Sequence, residues 1–142
     1  MGRTLALDPG SRRIGVAVSD ETGLVARGIE TLAARKDPAA LHQEIAELAR
    51  RYDIERILVG LPRHMDGREG EGAEAARKLA EACASVTGLP VILWDERLST
   101  KGAERLLIEA DLSRERRRRI IDRQAAQWIL QSYLDQRRGP AS

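Results

Sequence analysis

The sequence predicts an α/β domain built on a mixed five-stranded sheet, with an antiparallel meander of three strands, then parallel strands, and helices on both faces. Three observations carry that expectation. The opening of the chain holds three short β-rich runs separated by turn residues. Two later runs, 56–60 and 91–94, are almost wholly apolar, as strands covered on both faces must be. The segments around them repeat apolar residues at helical rather than strand spacing.

Taken in order, residues 4–8 form a strand that breaks at Pro9-Gly10, and 14–19 a second that ends in the turn Asp20-Glu21-Thr22-Gly23. Residues 24–32 complete the meander. Pro38 suits a helix's first turn with Asp37 as its cap, and that helix runs to about Tyr52 with Leu41, Ile45 and Leu48 inward. Strand 56–60 is followed by a Gly-rich charged loop, 61–72, and a helix, 73–86, with Ala76, Leu79, Ala80 and Cys83 on one face. After strand 91–94 a helix is expected from Ser99 or Thr100 to Ala110, then a long one over 113–135. No repeat or linker divides the chain, so residues 1–138 read as one domain and 139–142 as a flexible tail. With right-handed crossovers the order βββ-α-β-α-β-α-α gives a ribonuclease H-like fold.

Composition narrows the function. At 142 residues and 42% hydrophobic content the chain can bury one real core. Aromatic residues are only 3%, with no Phe, so base-stacking platforms are not expected and nucleic acid would be gripped by its backbone. Trp94 and Trp128 lie in apolar runs and read as core. The net charge of +2 hides a segregation, with Arg114, Arg116, Arg117, Arg118, Arg119 and Arg123 crowded together. Such a run is commonly a solvated helix face, yet its planar donor forks also suit phosphate oxygens. The single cysteine, Cys83, cannot form an internal disulfide and reads as core. His42 reads as a surface helix residue. The absence of an apolar leader or of a membrane-length apolar stretch points to the cytoplasm.

Three carboxylates stand out. Asp8 ends a strand, where open α/β sheets place ligands, although an Asp before Pro-Gly also serves as a turn former. The turn Asp8-Pro9-Gly10-Ser11-Arg12-Arg13 could equally cradle phosphate with backbone amides. Asp95 and Glu96 end the last strand on opposite sides, and periodicity does not choose between them. Asp122 shares a helix face with Ala126, Ile129 and Tyr133, an apolar stripe where a carboxylate is costly unless a cation or donors compensate it. Pairing with Arg118 or Arg119 one turn back is the structural alternative. If the acids converge, hard cations must sit between them, and two Mg²⁺ or Mn²⁺ ions would suit phosphodiester hydrolysis. No zinc-type His/Cys spacing and no Walker-type phosphate loop competes with that reading.

The stretches Asp8-Pro9-Gly10-Ser11-Arg12-Arg13-Ile14-Gly15, Val59-Gly60-Leu61-Pro62 with Met65-Asp66-Gly67, Asp95-Glu96-Arg97-Leu98-Ser99-Thr100, and Ile121-Asp122 with Ala125-Ala126 together resemble the YqgF/RuvX family. The resemblance spans nearly the whole chain in order. It implies a ribonuclease H-like nuclease related to the RuvC resolvases and implicated in maturing the 5′ end of pre-16S ribosomal RNA. It assigns catalytic and metal-binding roles to Asp8, Glu96 and Asp122, and thereby chooses Glu96 over Asp95. Arg97 would meet a phosphate oxygen or orient a carboxylate. Arg12, Arg13, Arg63, Arg68, Arg116, Arg117, Arg118, Arg119 and Arg123 are the expected nucleic-acid contacts, with the loop 61–72 as a clamp or a plain surface connection. Ser99 and Thr100 are expected as helix caps. Gly102, Arg123 and His64 depart from residues common in similar proteins, but none removes an acid of the triad. The alternatives are a Holliday junction resolvase, which requires a dimer, and a non-catalytic nucleic-acid-binding assembly factor. The protein is expected as a monomer or homodimer with no membrane partner.

Overall fold

The computed structural model describes residues 2–10, 12–33, 37–62, 67–96 and 114–137, with side chains of the last segment from Arg123 onward. Its elements are β1 (Arg3–Pro9), β2 (Arg13–Ser19), β3 (Ala26–Ala33), α1 (Pro38–Arg51), β4 (Ile54–Leu61), α2 (Glu71–Thr87), β5 (Val91–Asp95) and α3 (Arg114–Arg137). One five-stranded sheet runs β3-β2-β1-β4-β5. β1–β2 and β2–β3 are antiparallel, whereas β4 pairs in parallel with β1 and β5, as the sequence predicts.

Strand alternation sorts the core into two layers. Leu5, Leu7, Val16, Ile57 and Val59 face one way, against Leu41, Ile45 and Leu48 of α1 and Ala76, Leu79 and Cys83 of α2. Ala6, Ala17, Ala26 and Leu58 face the other way, against Ala126, Ile129, Leu130, Tyr133 and Leu134 of α3. The alanines on that second face allow a close helix, and at Gly28 an added Cβ would sit 2.8 Å from the Arg123 carbonyl oxygen. α1 starts as expected, with the Asp37 carboxylate accepting from Ala39 N at 3.1 Å and Pro38 in the first turn.

Several boundaries differ from expectation, each for a local reason. β3 begins at Ala26, not 24, because the amides of Leu24 and Val25 donate to the Asp20 carboxylate at 2.9 and 3.1 Å. An Asx-type turn thus captures two residues that are 44% and 60% exposed. β4 starts at Ile54, two residues before the expected strand, just after Asp53 reverses the chain at φ 51°. α2 begins at Glu71, inside the expected loop, where Glu71 and Glu74 favour the positive end of the helix dipole. The expected helix 99–110 and tail 139–142 lie outside the described residues. No helix among the described residues is long and apolar enough to cross a membrane.

Candidate active site beside Gly60

Asp8 is the penultimate residue of β1, half-buried and opposite Gly15 of β2. Alternation places it with Ala6 on the α3 face. Leu7 pairs with Val59 in the parallel neighbour β4, so one step further Asp8 comes level with Gly60. Gly60 in turn pairs with Trp94 of β5. Ile92 and Trp94 pack on the α3 layer, whereas Val91 and Leu93 pack on the opposite one. Glu96 continues the series of Ile92 and Trp94. A Cβ built on Gly60 would lie 2.7 Å from Glu96 Oε1, 3.3 Å from Glu96 Cγ and 3.2 Å from Ile129 Cδ1. The Glu96 side chain therefore folds over Gly60, with Oε1 buried, on the face that Asp8 shares. Asp95, opposite Leu61, belongs to the other series. Periodicity alone does not decide between the two acids, and packing separates them.

Trp94 fixes the approach to Glu96. Its Nε1–H donates to Ser132 Oγ at 3.0 Å, and its ring meets Tyr133 edge-on at 5.4 Å between centroids. Trp94 is thus a packing residue of the site wall. Trp128 is half-buried on α3.

Asp122 lies in α3 one turn before Ala126, in line with buried Ile129 and Tyr133. Its side chain lies outside the described residues. The direction of α3 is set by contacts to β3: Ala26 N donates to Gln131 Oε1 and Gly28 N to Gln127 Oε1, at 2.8 and 3.1 Å. Moving towards the start of α3 therefore follows β3, which points the same way as β1 across the intervening β2, towards the Asp8 edge. Among the described residues no three His, Cys, Asp or Glu side chains form a metal-binding group. Asp8 and Glu96 are the two expected ligands whose side chains are described.

The expected basic contacts divide. Arg12 is exposed and Arg13 half-buried at the Asp8 edge of β2. Arg68 is exposed between β4 and α2, beside Glu69, whose carboxylate accepts two bonds from Arg77 at 2.9 and 2.7 Å. Arg123 is half-buried, its main chain against Gly28. Positions Arg116, Arg117, Arg118 and Arg119 fall in the first two turns of α3, and their side chains, with Arg63, Arg97, His64, Ser99 and Thr100, lie outside the described residues. The amide-cradle reading of the Pro9-Gly10 turn fails at Gly10, whose N–H donates to Arg13 O at 2.9 Å.

Other candidates are placed elsewhere. Asp20 caps the β2–β3 turn, beyond the end of β2 remote from Gly15, so it does not reach Asp8. The Thr22 hydroxyl and then the Val25 amide hold its carboxyl below the ordinary carboxylate range. Cys83 is buried, and desolvation pushes its thiol up to about 12. His42, expected at the surface, is half-buried in α1. Gly60 is the site residue that sequence reasoning missed, though a glycine inside a nearly continuous apolar strand signals a close approach.

A family model described as RuvX, a Holliday junction resolvase, matches residues 2–136. The chain belongs to the RuvX family. Among similar RuvX-family proteins, one from Pelotomaculum thermopropionicum is 51% identical over 97% of this chain and 90% of its own length. One from Myxococcus xanthus is 51% identical over 97% and 91%. Both are named as candidate pre-16S rRNA nucleases. The fold is also that of Thermus thermophilus RuvC in complex with a Holliday junction substrate, with a TM-score of 0.61 at 18% identity, covering 100% of this chain and 99% of that one. The ribonuclease H-like sheet order expected from the sequence is the one observed.

Proposed function

We propose that this RuvX-family protein is a divalent-metal-dependent endonuclease that trims the 5′ end of precursor 16S rRNA in the cytoplasm, with Asp8, Glu96 and Asp122 as its catalytic and metal-holding residues. The nuclease class follows from family membership: the protein is a hydrolase of phosphodiester bonds. The observation that carries the site assignment is the side-by-side arrangement of Asp8 and Glu96 around Gly60, on the face that α3 covers.

That arrangement fits a hard cation. The donors are carboxylate oxygens, and the missing Cβ at Gly60 leaves the space that Glu96 Oε1 occupies. Divalent ions held there, Mg²⁺ or Mn²⁺, would supply the positive charge that lowers the pKa of water and balances the leaving oxygen. The protein's own part is to hold Asp8 at a strand end and Glu96 in a packed corner, so that both carboxylates are oriented before substrate arrives. Arg12 and Arg13 stand at the same edge to meet the nucleic-acid backbone. The arginines from Arg116 to Arg119 oppose the positive end of the α3 dipole, which argues for phosphate binding over helix stability.

Precursor ribosomal RNA is favoured as substrate by the names of relatives similar over nearly the full chain. A four-way DNA junction is the second reading, favoured by the family model's description. Both are tested by cleavage of matched substrates with Mg²⁺ or Mn²⁺. Asp8→Asn, Glu96→Gln and Asp122→Asn are each expected to lose more than about 100-fold in rate, since even supporting residues of metal sites cost up to that. Loss in Asp95→Asn with Glu96→Gln fully active would reverse the assignment. Junction resolution by a dimer, with the RNA left intact, would move the substrate to DNA. Nucleic-acid binding by wild type with no cleavage in either ion would leave a nucleic-acid-binding assembly role, whereas metal binding and cleavage retained by Asp8→Asn would remove Asp8 from the site.

A further inference from the structure

At the end of the sheet remote from Asp8 lies a cavity of about 400 Å³, between the β2–β3 hairpin and the end of α1. Three arginines from three different elements line it: Arg3 of β1, Arg27 of β3 and Arg51 of α1. Val18, Val25 and Tyr52 supply apolar walls. Asp20 is the lining carboxylate, and it is already occupied by the Thr22 hydroxyl and the amides of Leu24 and Val25. Arg3 meets Glu21 at 3.5 Å and Arg51 meets Glu47 at 3.3 Å, but neither glutamate lines the cavity. Exposed pairs of this kind are weak and give way to a better anion. Arg27 is exposed and makes no ion pair with a described residue. Like charges drawn from distant parts of the chain into one concave site repel one another, and an anion relieves that repulsion.

The cavity lies at Val18 and Ser19 of β2 on the face that α1 covers, whereas Asp8 is level with Gly15 on the face that α3 covers, so the two are separated by the sheet and by roughly 10–14 Å along the strand. Arg12 and Arg13 stand at the Asp8 edge, and Arg3, Arg27 and Arg51 at the cavity. We propose that the cavity is a second phosphate site, holding a backbone phosphate of the same nucleic acid at a point remote from the bond that is cut. A contact there fixes the register of a structured substrate without reading its sequence. A short strand occupying only the Asp8 edge would not use it. The inference rests on the nuclease reading above.

Its test separates the two. Binding of a hairpin RNA is followed against salt concentration in EDTA, where cleavage is suppressed, for wild type, Arg27→Gln and Lys78→Gln. Lys78 is an exposed cation of α2 outside the cavity. Arg27→Gln is expected to lower the slope of log affinity against log salt by about 1, and Lys78→Gln to leave it unchanged. With Mg²⁺ or Mn²⁺ present, Arg27→Gln should raise KM for the hairpin and leave cleavage of a short single strand as in wild type. Equal slopes for wild type and Arg27→Gln, or an equal fall in Lys78→Gln, would overturn the second site while leaving the nuclease reading intact. If adenosine monophosphate saturates the cavity, seen as NMR shifts at Val18 and Val25, while the RNA slope does not move, the site belongs to free nucleotides and the proposal also falls. Failure of wild type to bind RNA or DNA at any salt concentration would remove both readings together.

Discussion

At Gly60 one hydrogen atom stands where any other residue would carry a carbon, and a Cβ there would lie 2.7 Å from Glu96 Oε1 and 3.2 Å from Ile129 Cδ1. Ile129 is locked into the α3 layer, so the carboxylate is the part that must yield. Gly60→Ala should therefore leave a folded protein with a displaced Glu96. A shift of about 1 Å in a catalytic group costs on the order of 100-fold in rate, and that is the expected loss in a cleavage assay. A fully active Gly60→Ala protein would show that Glu96 does not depend on this space. At the remote end, Asp20 gives a pH prediction. Its carboxyl is more acidic folded than unfolded, so its contribution is present above the unfolded value near 4 and fades as pH falls through the folded one. The gap in urea midpoint between wild type and Asp20→Asn should accordingly close on acidification below about pH 4. A gap that stays constant would mean that charge at Asp20 is irrelevant to the hairpin.

Among elements, β3 and α3 depend on one another. β3 is an edge strand, and edge strands carry unpaired amides that recruit other chains. Here Gln127 and Gln131, one turn apart, accept from Gly28 N and Ala26 N, and Gln131 also donates to Leu24 O at 2.9 Å. Two side chains of a helix thus take the place of a sixth strand. Replacing both glutamines by alanine leaves two part-buried amides without acceptors, at about 1–3 kcal/mol each. Urea denaturation should register that loss, and hydrogen exchange should quicken at Ala26 and Gly28. Unchanged exchange at both amides would mean that another group satisfies them. The sequence could not reveal this pairing, because residues about a hundred positions apart meet only through the fold. The strands themselves are legible in the sequence, since turn residues and nearly continuous apolar runs are local signals. The start of β3 is not, because apolar Leu24 and Val25 mask a competing local bond to Asp20. The choice between Asp95 and Glu96 stays open in the sequence for a related reason: alternation shows that they part, but only the position of α3 decides which face holds the site.

Across the whole molecule, charge is distributed unevenly over a nearly neutral total of +2. The arginine run falls in the first two turns of α3, and Arg12 and Arg13 stand at the edge of β2 where Asp8 lies. Substituting Arg116, Arg117, Arg118 and Arg119 with glutamine should weaken binding of RNA and DNA alike. It should also reduce the salt slope by roughly 1 for each phosphate that is no longer neutralised. A slope equal to that of wild type would reduce the run to a solvated helix face. The composition makes such a face legible, and the helix boundary at Arg114 adds the dipole argument that composition lacks.

The α3 layer also bears on how the chain emerges during synthesis. By the time Glu96 is made, all five strands exist, and α1 and α2 can cover one face of the sheet. The other face, with Ala6, Ala17, Leu58, Asp8 and Glu96, waits for residues 114–137. A ribosome must therefore release α3 before the carboxylates acquire their setting. A chain truncated ahead of it would present a bare apolar sheet face, a target for chaperones and proteases. Assembly of the candidate site is thus coupled to completion of the last helix, so the two carboxylates gain their packed setting only late in synthesis.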